Sequence, residues 1–173
     1  RCWKKSGHGS MNLHDALVQS CDVYFYTIGH RLGIDTIAKY AKRFGLGRST
    51  RLGLSREKKG LIPTTQWKLL NKKEPWQLGE TISASIGQGF NLVTPIQQLI
   101  LMAAVANRGI LLKPYLVKRI EGPEEQIRKE FFPEIVGQIG VDLDHLEQVR
   151  KALRDVVNGV RGTGKKSRLK NII

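Results

Sequence analysis

Three arrangements of side chains in this sequence have the residue types and spacing to do chemistry. The first is Ser-x-x-Lys, which occurs at Ser55-Arg56-Glu57-Lys58 and again at Ser167-Arg168-Leu169-Lys170. On a helix this spacing sets an amine one turn from a hydroxyl on the same face, so the lysine can activate the serine as an acyl acceptor. Such a serine should open a helix with an apolar flank. Both serines lie in polar, basic stretches, so both are expected to be chance matches. The second arrangement is Gly159-Val160-Arg161-Gly162-Thr163-Gly164-Lys165-Lys166, which nearly spells a phosphate-binding loop. Lys166 stands where a Ser or Thr must hold magnesium, and the run follows a helical pattern instead of a strand, so this function is not expected. The third is Ser20-Cys21-Asp22, between two short helical patterns. There a hydroxyl and a carboxylate can face one cleft while Cys21 turns into the core. The simpler reading is that Asp22 only caps the following helix, and a Ser-x-Asp triplet is expected roughly once by chance in an ordinary chain.

Other chemistries find less support. His8, His14, His30 and His145 show neither H-x-x-x-H nor H-E-x-x-H spacing, and Cys2 and Cys21 fit no zinc spacing. No metal and no cofactor are expected. No G-x-S-x-G elbow occurs, which removes the α/β-hydrolases.

The elements that must position these groups are mostly helical. Asn12 can cap a helix from Leu13, with Asp15 in its first turn. A second helix from Asp22 carries Phe25, Ile28, Gly29 and Leu32 on one face and stops at Gly33. Asp35 is read as the cap of a third, whose Ile37, Tyr40, Ala41 and Phe44 recur at helical spacing up to Gly45. Residues 45 to 63 read as loop with at most a short strand. Trp67 and Trp76 flank a short amphipathic segment that Thr65 is expected to cap. Thr94-Pro95-Ile96-Gln97 is a capping box with proline at the first helical position. The helix it opens, to about Asn107, is apolar on most sides and is expected to be buried and central. Ile110 to Ile120 reads as a strand restricted by Pro114, Gly122 to Gly140 as irregular surface. Asp142 caps a last helix with Leu146, Val149, Leu153, Val156 and Val157 facing inward.

Length and composition bound the whole. The 173 residues carry 29 Lys+Arg against 15 Asp+Glu, a net charge of +14. That length suits one domain or a sizeable piece of one, able to bury roughly two-thirds of its unfolded surface. Apolar residues make up 40%, which excludes disorder over the whole length. The longest apolar run, Leu99 to Ala106, is far short of the ~20 residues that span a bilayer. The charge gathers in two places. Arg48 to Lys73 holds eight basic residues and one acid, Glu57, and the tail holds Arg161, Lys165, Lys166, Arg168 and Lys170. Nucleic acid is therefore the alternative partner, although no recognition motif accompanies the charge.

An ordered series of short motifs decides between these readings. The stretch Leu13-His14-Asp15-Ala16-Leu17-Val18-Gln19-Ser20-Cys21-Asp22-Val23-Tyr24-Phe25-Tyr26 resembles the second active-site motif of class B penicillin-binding proteins. It is most similar to their elongation-specific branch, the penicillin-binding protein 2 family, which carries Ser-x-Asp where most relatives have Ser-x-Asn. The resemblance continues in order through Gly33-Ile34-Asp35, Phe44-Gly45-Leu46-Gly47, Gly60-Leu61-Ile62-Pro63, Trp76, Gly79-Glu80-Thr81, Ser85-Ile86-Gly87-Gln88-Gly89 and Val93-Thr94-Pro95-Ile96-Gln97. It ends with Ala106-Asn107-Arg108-Gly109 and is dense over residues 2 to 120.

The resemblance implies peptidoglycan D,D-transpeptidation by an acyl-serine mechanism, with stem peptides as substrates, β-lactams as inhibitors and other cell-wall elongation proteins as partners. It implies a periplasm-facing domain of a protein in the bacterial inner membrane. On the family pattern Ser20 relays protons between two lysines, and Asp22 shapes the cleft. The family's Ser-x-x-Lys lies upstream of this motif and its Lys-Thr-Gly downstream of a stretch like Gly162-Thr163-Gly164. Neither is present here. Residues 1–173 are thus expected to be part of a transpeptidase domain, inactive alone and prone to self-association. The fold expected is mainly α with minor β, the helical portion of the serine β-lactamase-like transpeptidase fold with its sheet incomplete.

Overall fold

A computed structural model of the chain describes residues 2–123 and 126–169. Its elements, in order, are α1 (Leu13–Val18), α2 (Asp22–Leu32), α3 (Ile34–Arg43), α4 (Thr65–Lys72), α5 (Leu78–Ala84), α6 (Pro95–Ala106), β1 (Ile110–Lys113), β2 (Arg119–Glu121), β3 (Ile127–Glu130), β4 (Glu134–Gln138) and α7 (Leu143–Asn158). The fold is mainly helical with minor strand, as expected. Two compact units share the chain. The first is built from residues up to Lys39, Pro63–Asn91 and from Val141 onward; the second from Tyr40–Ile62 and Leu92–Gly140.

In the first unit α1 packs on α7 and α2 on α5. The α2–α5 approach depends on Gly29, because a Cβ there would collide with the Ser85 side chain. Asn12 caps α1 as expected, its Oδ1 accepting the Asp15 N–H at 2.8 Å. Asp142 caps α7 through the N–H groups of Asp144 and His145. Gly33 ends α2 at φ 72°. Leu32, on the same face as Phe25, Ile28 and Gly29, is half exposed. Two other caps differ from expectation. Asp35 lies inside the first turn of α3, and its carboxylate instead accepts the Thr65 N–H at 3.0 Å and O–H at 2.7 Å. With Thr65 so engaged, Thr64 caps α4, its Oγ1 accepting the Trp67 N–H at 3.0 Å. Trp67 therefore sits within α4, and both it and Trp76 pack on Phe90. Lys68, only 3% exposed, is held by Glu80 at 2.5 Å, with Glu74 at 3.6 Å. Burial works to raise the Glu80 pKa, but hydrogen bonds from Lys68 and the Gln77 N–H outweigh it and keep the carboxyl below its ordinary value.

In the second unit the capping box is present in full. Thr94 Oγ1 accepts the Gln97 N–H at 3.3 Å, and Gln97 Oε1 accepts the Thr94 N–H at 3.0 Å. The helix it opens is not buried all round, since Leu99 is 62% and Met102 48% exposed. Its apolar composition exceeds the surface that β1 covers. The strand read over 110–120 is split at Pro114 into β1 and β2, because proline lacks the N–H that would continue the ladder. The region expected to be irregular contains β3 and β4. They pair antiparallel with β2 and β1 respectively, and each pair carries one irregular register step. Both are exposed at every position, so no face is buried and no alternation marks them in the sequence. An isolated bridge joins Leu61 to Leu92, the short strand character expected in the 45–63 loop. No helix among the described residues is long and apolar enough to cross a membrane.

Candidate functional site

Ser20 sits where α1 ends and α2 begins. Its N–H donates to the Leu17 carbonyl at 3.2 Å, and the Cys21 N–H reaches back to the Ala16 carbonyl at 2.9 Å. This double reversal is a Schellman cap, whose turning residue adopts the left-handed conformation and is usually glycine. Ser20 occupies it at φ 51°. An L-residue there costs about 1 kcal/mol more than glycine. The chain accepts a strained serine in return for a hydroxyl projecting from a tight turn. Cys21 then points inward and is 5% exposed, as the triplet's setting led one to expect.

The Ser20 hydroxyl meets a residue far along the chain. Its Oγ lies 2.9 Å from Thr163 Oγ1. Thr163 donates its N–H to the Val18 carbonyl at 3.2 Å and its hydroxyl to the same oxygen at 3.3 Å. With the threonine proton used there, Ser20 donates to Thr163 Oγ1, and both Ser20 lone pairs stay available to a further donor. Among the described residues no lysine bonds to Ser20. Thr163 is delivered by the turn after α7, where the Gly164 N–H donates to the Val156 carbonyl at 2.9 Å and Lys165 Nζ donates to the Val160 carbonyl. No strand precedes this run, and a short 3-10 turn (Lys165–Ser167) follows it, so it has none of the architecture of a phosphate loop.

Asp22 is the first residue of α2, and Cys21 at the cap position makes no side-chain cap bond. The Asp22 carboxylate does not cap the helix. It accepts the backbone N–H of Trp3 at 3.3 Å. The Trp3 indole N–H is shared between the carbonyls of Ser20 at 2.9 Å and Gln19 at 3.1 Å. Trp3 thus brackets the triplet from both sides. On the opposite side of α1, His14 Nε2 lies 2.9 Å from Asp155 on α7 and its Nδ1 3.4 Å from Asp15. The hydrogen bond to Asp155 raises the His14 pKa above its ordinary value, against an opposing effect of burial and with further help from Asp15. This pair clasps α1 to the helix whose end carries Thr163.

A cluster missed by linear spacing lies beneath the triplet. Cys2, His8 and Cys21 each bring one ligand atom within 4.8 Å of the others. Cys2 Sγ is 3.4 Å from His8 Nδ1, and His8 Nε2 is buried without a hydrogen-bond partner among the described residues. Two thiols and an imidazole form a soft donor set suited to zinc, with a fourth position left for another ligand. The expectation of no metal site rested on spacing, and nineteen residues of separation between the cysteines hid their approach in space.

The other sequence candidates stay apart. Ser55 lies in an exposed turn, and Ser167 ends the 3-10 turn. Lys170, which completes the second Ser-x-x-Lys and the basic tail, lies outside the described residues. Trp3 and His8 gave no signal of a role. Gly162-Thr163-Gly164 stood out as a near phosphate loop and as the stretch that precedes Lys-Thr-Gly on the family pattern, but neither signal pointed to the bond between Thr163 and Ser20.

The model of the penicillin binding protein transpeptidase domain matches residues 1–172. A curated relative, the peptidoglycan D,D-transpeptidase MrdA of Acinetobacter baumannii, is 37% identical over 164 residues, covering 95% of this chain and 24% of its own length. Among solved structures, Pseudomonas aeruginosa PBP2 superposes with a TM-score of 0.81 at 35% identity, over 96% of this chain and 35% of that one. Helicobacter pylori PBP2, solved in complex with MreC, gives 0.83 at 30% identity, over 99% of this chain and 31% of that one. The chain spans about a quarter of the length of the curated relatives it matches.

Proposed function

The chain belongs to the penicillin-binding protein transpeptidase domain family, and from that premise we propose that it carries the middle motif of a peptidoglycan D,D-transpeptidase. In this reading residues 1–173 are an interior part of the transpeptidase domain. The attacking serine and its lysine belong to a Ser-x-x-Lys upstream, and a Lys-Thr-Gly follows downstream. Ser20 is the relay. Its hydroxyl gives its proton toward Thr163 and can take one from a lysine ammonium, so protons pass during acylation and leaving-group departure. Asp22 keeps a carboxylate at the cleft edge, oriented by the Trp3 N–H, to meet the substrate or a lysine. Stem peptides are the substrates and β-lactams the inhibitors.

The observation that carries this reading is the strained Ser20 held 2.9 Å from Thr163. A residue placed for stability alone would be glycine at that turn. The nucleic-acid alternative rested on net charge and finds no support in the comparisons. By analogy with the MreC complex of the Helicobacter pylori relative, partners are other cell-wall proteins, and the setting is the periplasmic face of the inner membrane.

The test is covalent capture. The purified 173-residue chain, incubated with a fluorescent penicillin, is expected to show no adduct by intact mass. A stoichiometric adduct on Ser20 would refute its assignment as relay, and one on any other serine of the chain would refute the upstream nucleophile.

A further inference from the structure

In the second unit, the loop after α3 walls a cavity of about 540 Å³. This is within the range of about 300–1,000 Å³ typical of small-molecule sites. Its apolar side is formed by Ile100 of α6, Leu111 of β1 and Val136 of β4. Its rim is cationic. Lys113 is matched by Glu134 at 2.9 Å, whereas Arg48, Arg51 and Lys59 form no ion pair among the described residues.

The backbone that carries these cations is held by the fold. Gln97, 0% exposed, donates from Nε2 to the carbonyls of Arg48 at 2.7 Å and Lys59 at 2.9 Å. One buried amide therefore ties together two cationic positions eleven residues apart. Next to Lys59, Gly60 runs at φ 66° against the Leu92 carbonyl, where a Cβ would collide. Glu57 is the acid within the loop, and it is spent on backbone order. It accepts the Ser49 hydroxyl at 2.5 Å and the Thr50 N–H at 2.7 Å, which pull its pKa down to about 2. Arg51 stands beside it in the left-handed region at φ 58°. A strained, pinned loop that leaves its arginines unmatched is pre-organised for an anion.

Guanidinium groups match the geometry of phosphate, and the apolar wall calls for hydrocarbon. We propose that this cavity binds a single-chain lipid phosphate monoester, the phosphate on Arg48, Arg51 and Lys59 and the chain along Ile100, Leu111 and Val136. The site is independent of the Ser20 chemistry, so either assignment can fail without the other.

Dodecyl phosphate, kept below its micellar concentration, is titrated into the isotopically labelled chain at low salt, beside inorganic phosphate and dodecyltrimethylammonium. The expected result is one-to-one binding at least tenfold tighter for dodecyl phosphate than for either control, with amide shifts at the cavity residues. Arg51→Asn, which tolerates the positive φ, and Lys59→Gln should each weaken it about 10-fold, the worth of one charge-assisted hydrogen bond. Val136→Asn, neutral and polar, should weaken dodecyl phosphate and leave inorganic phosphate unchanged. Equal affinity for inorganic phosphate would overturn the lipid assignment and mark an anion site only. Equal affinity for the cationic amphiphile, or shifts confined to other surfaces, would overturn the site altogether.

Discussion

Ser20 Oγ and Thr163 Oγ1 stand 2.9 Å apart across 143 positions of sequence. The turn that presents Ser20 is local, made by α1's own carbonyls, but the group that orients its hydroxyl comes from beyond α7. The Ser20–Thr163 geometry thus depends on the α1–α7 contact as much as on the Ser-x-Asp triplet.

The left-handed turn sets the relative stability of Ser20 variants. Ser20→Gly relieves the positive φ and Ser20→Ala does not, while both lose the bond to Thr163. The glycine variant should be more stable than the alanine variant by about 1 kcal/mol. Urea denaturation of the two proteins measures this directly, and equal midpoints would show that the turn is unstrained.

His14 should titrate above its ordinary 6.5, because Asp155 and Asp15 favour the imidazolium. The folded pKa is raised, so the clasp's contribution is complete below the unfolded value and is lost as pH rises through the folded one. NMR titration of the imidazole should give a higher pKa in the parent chain than in Asp155→Asn. The difference in melting temperature between the parent and His14→Gln should shrink from pH 6 to pH 9, on the scale set by that raised value.

Lys68, buried, and Glu80, only partly so, form an ion pair whose halves should be unequal in effect. Glu80→Gln keeps an acceptor for the Gln77 N–H yet leaves the Lys68 ammonium buried beside only the more distant Glu74, and should cost about 3 kcal/mol. Adding Lys68→Met removes the stranded charge and should recover most of the loss. Additive costs in this double-mutant cycle would mean that the two groups are not coupled.

Zinc added to the reduced chain should bind through Cys2, His8 and Cys21. At a hundredfold excess over the dissociation constant, binding only the folded state adds about 2.7 kcal/mol. For a chain of this size that raises the melting temperature by about 5–10 °C. Chelator should reverse the shift, and Cys2→Ser should abolish most of it. An unchanged melting temperature would remove the cluster as a metal site.

Much of the fold is legible in the sequence where the determinant is local, a side chain bonding its own backbone or a glycine that takes a positive φ. The Asn12 cap, the Gly33 and Gly45 stops, the Thr94–Gln97 box and the Asp142 cap are all of that kind. Thr64 and Thr65 are chemically equal as caps, and only the remote Asp35 decides between them by engaging Thr65. β3 and β4 were illegible because strands with no buried face carry no alternation. The Ser-x-Asp triplet stood out through its setting and the ordered motifs around it. Trp3 and the Cys2–His8–Cys21 cluster did not, and the contact of Thr163 with Ser20 left no trace either, since each is made by tertiary packing.

The central claim is that Ser20 moves protons and does not carry the acyl group. The most direct measurement is the position and rate of penicillin acylation in the product of the full reading frame that encodes this chain. The account predicts an adduct on the serine of an upstream Ser-x-x-Lys, with Ser20 unmodified, and an acylation rate at least about 100-fold slower in Ser20→Ala. An adduct on Ser20, or an unchanged rate in Ser20→Ala, would contradict it.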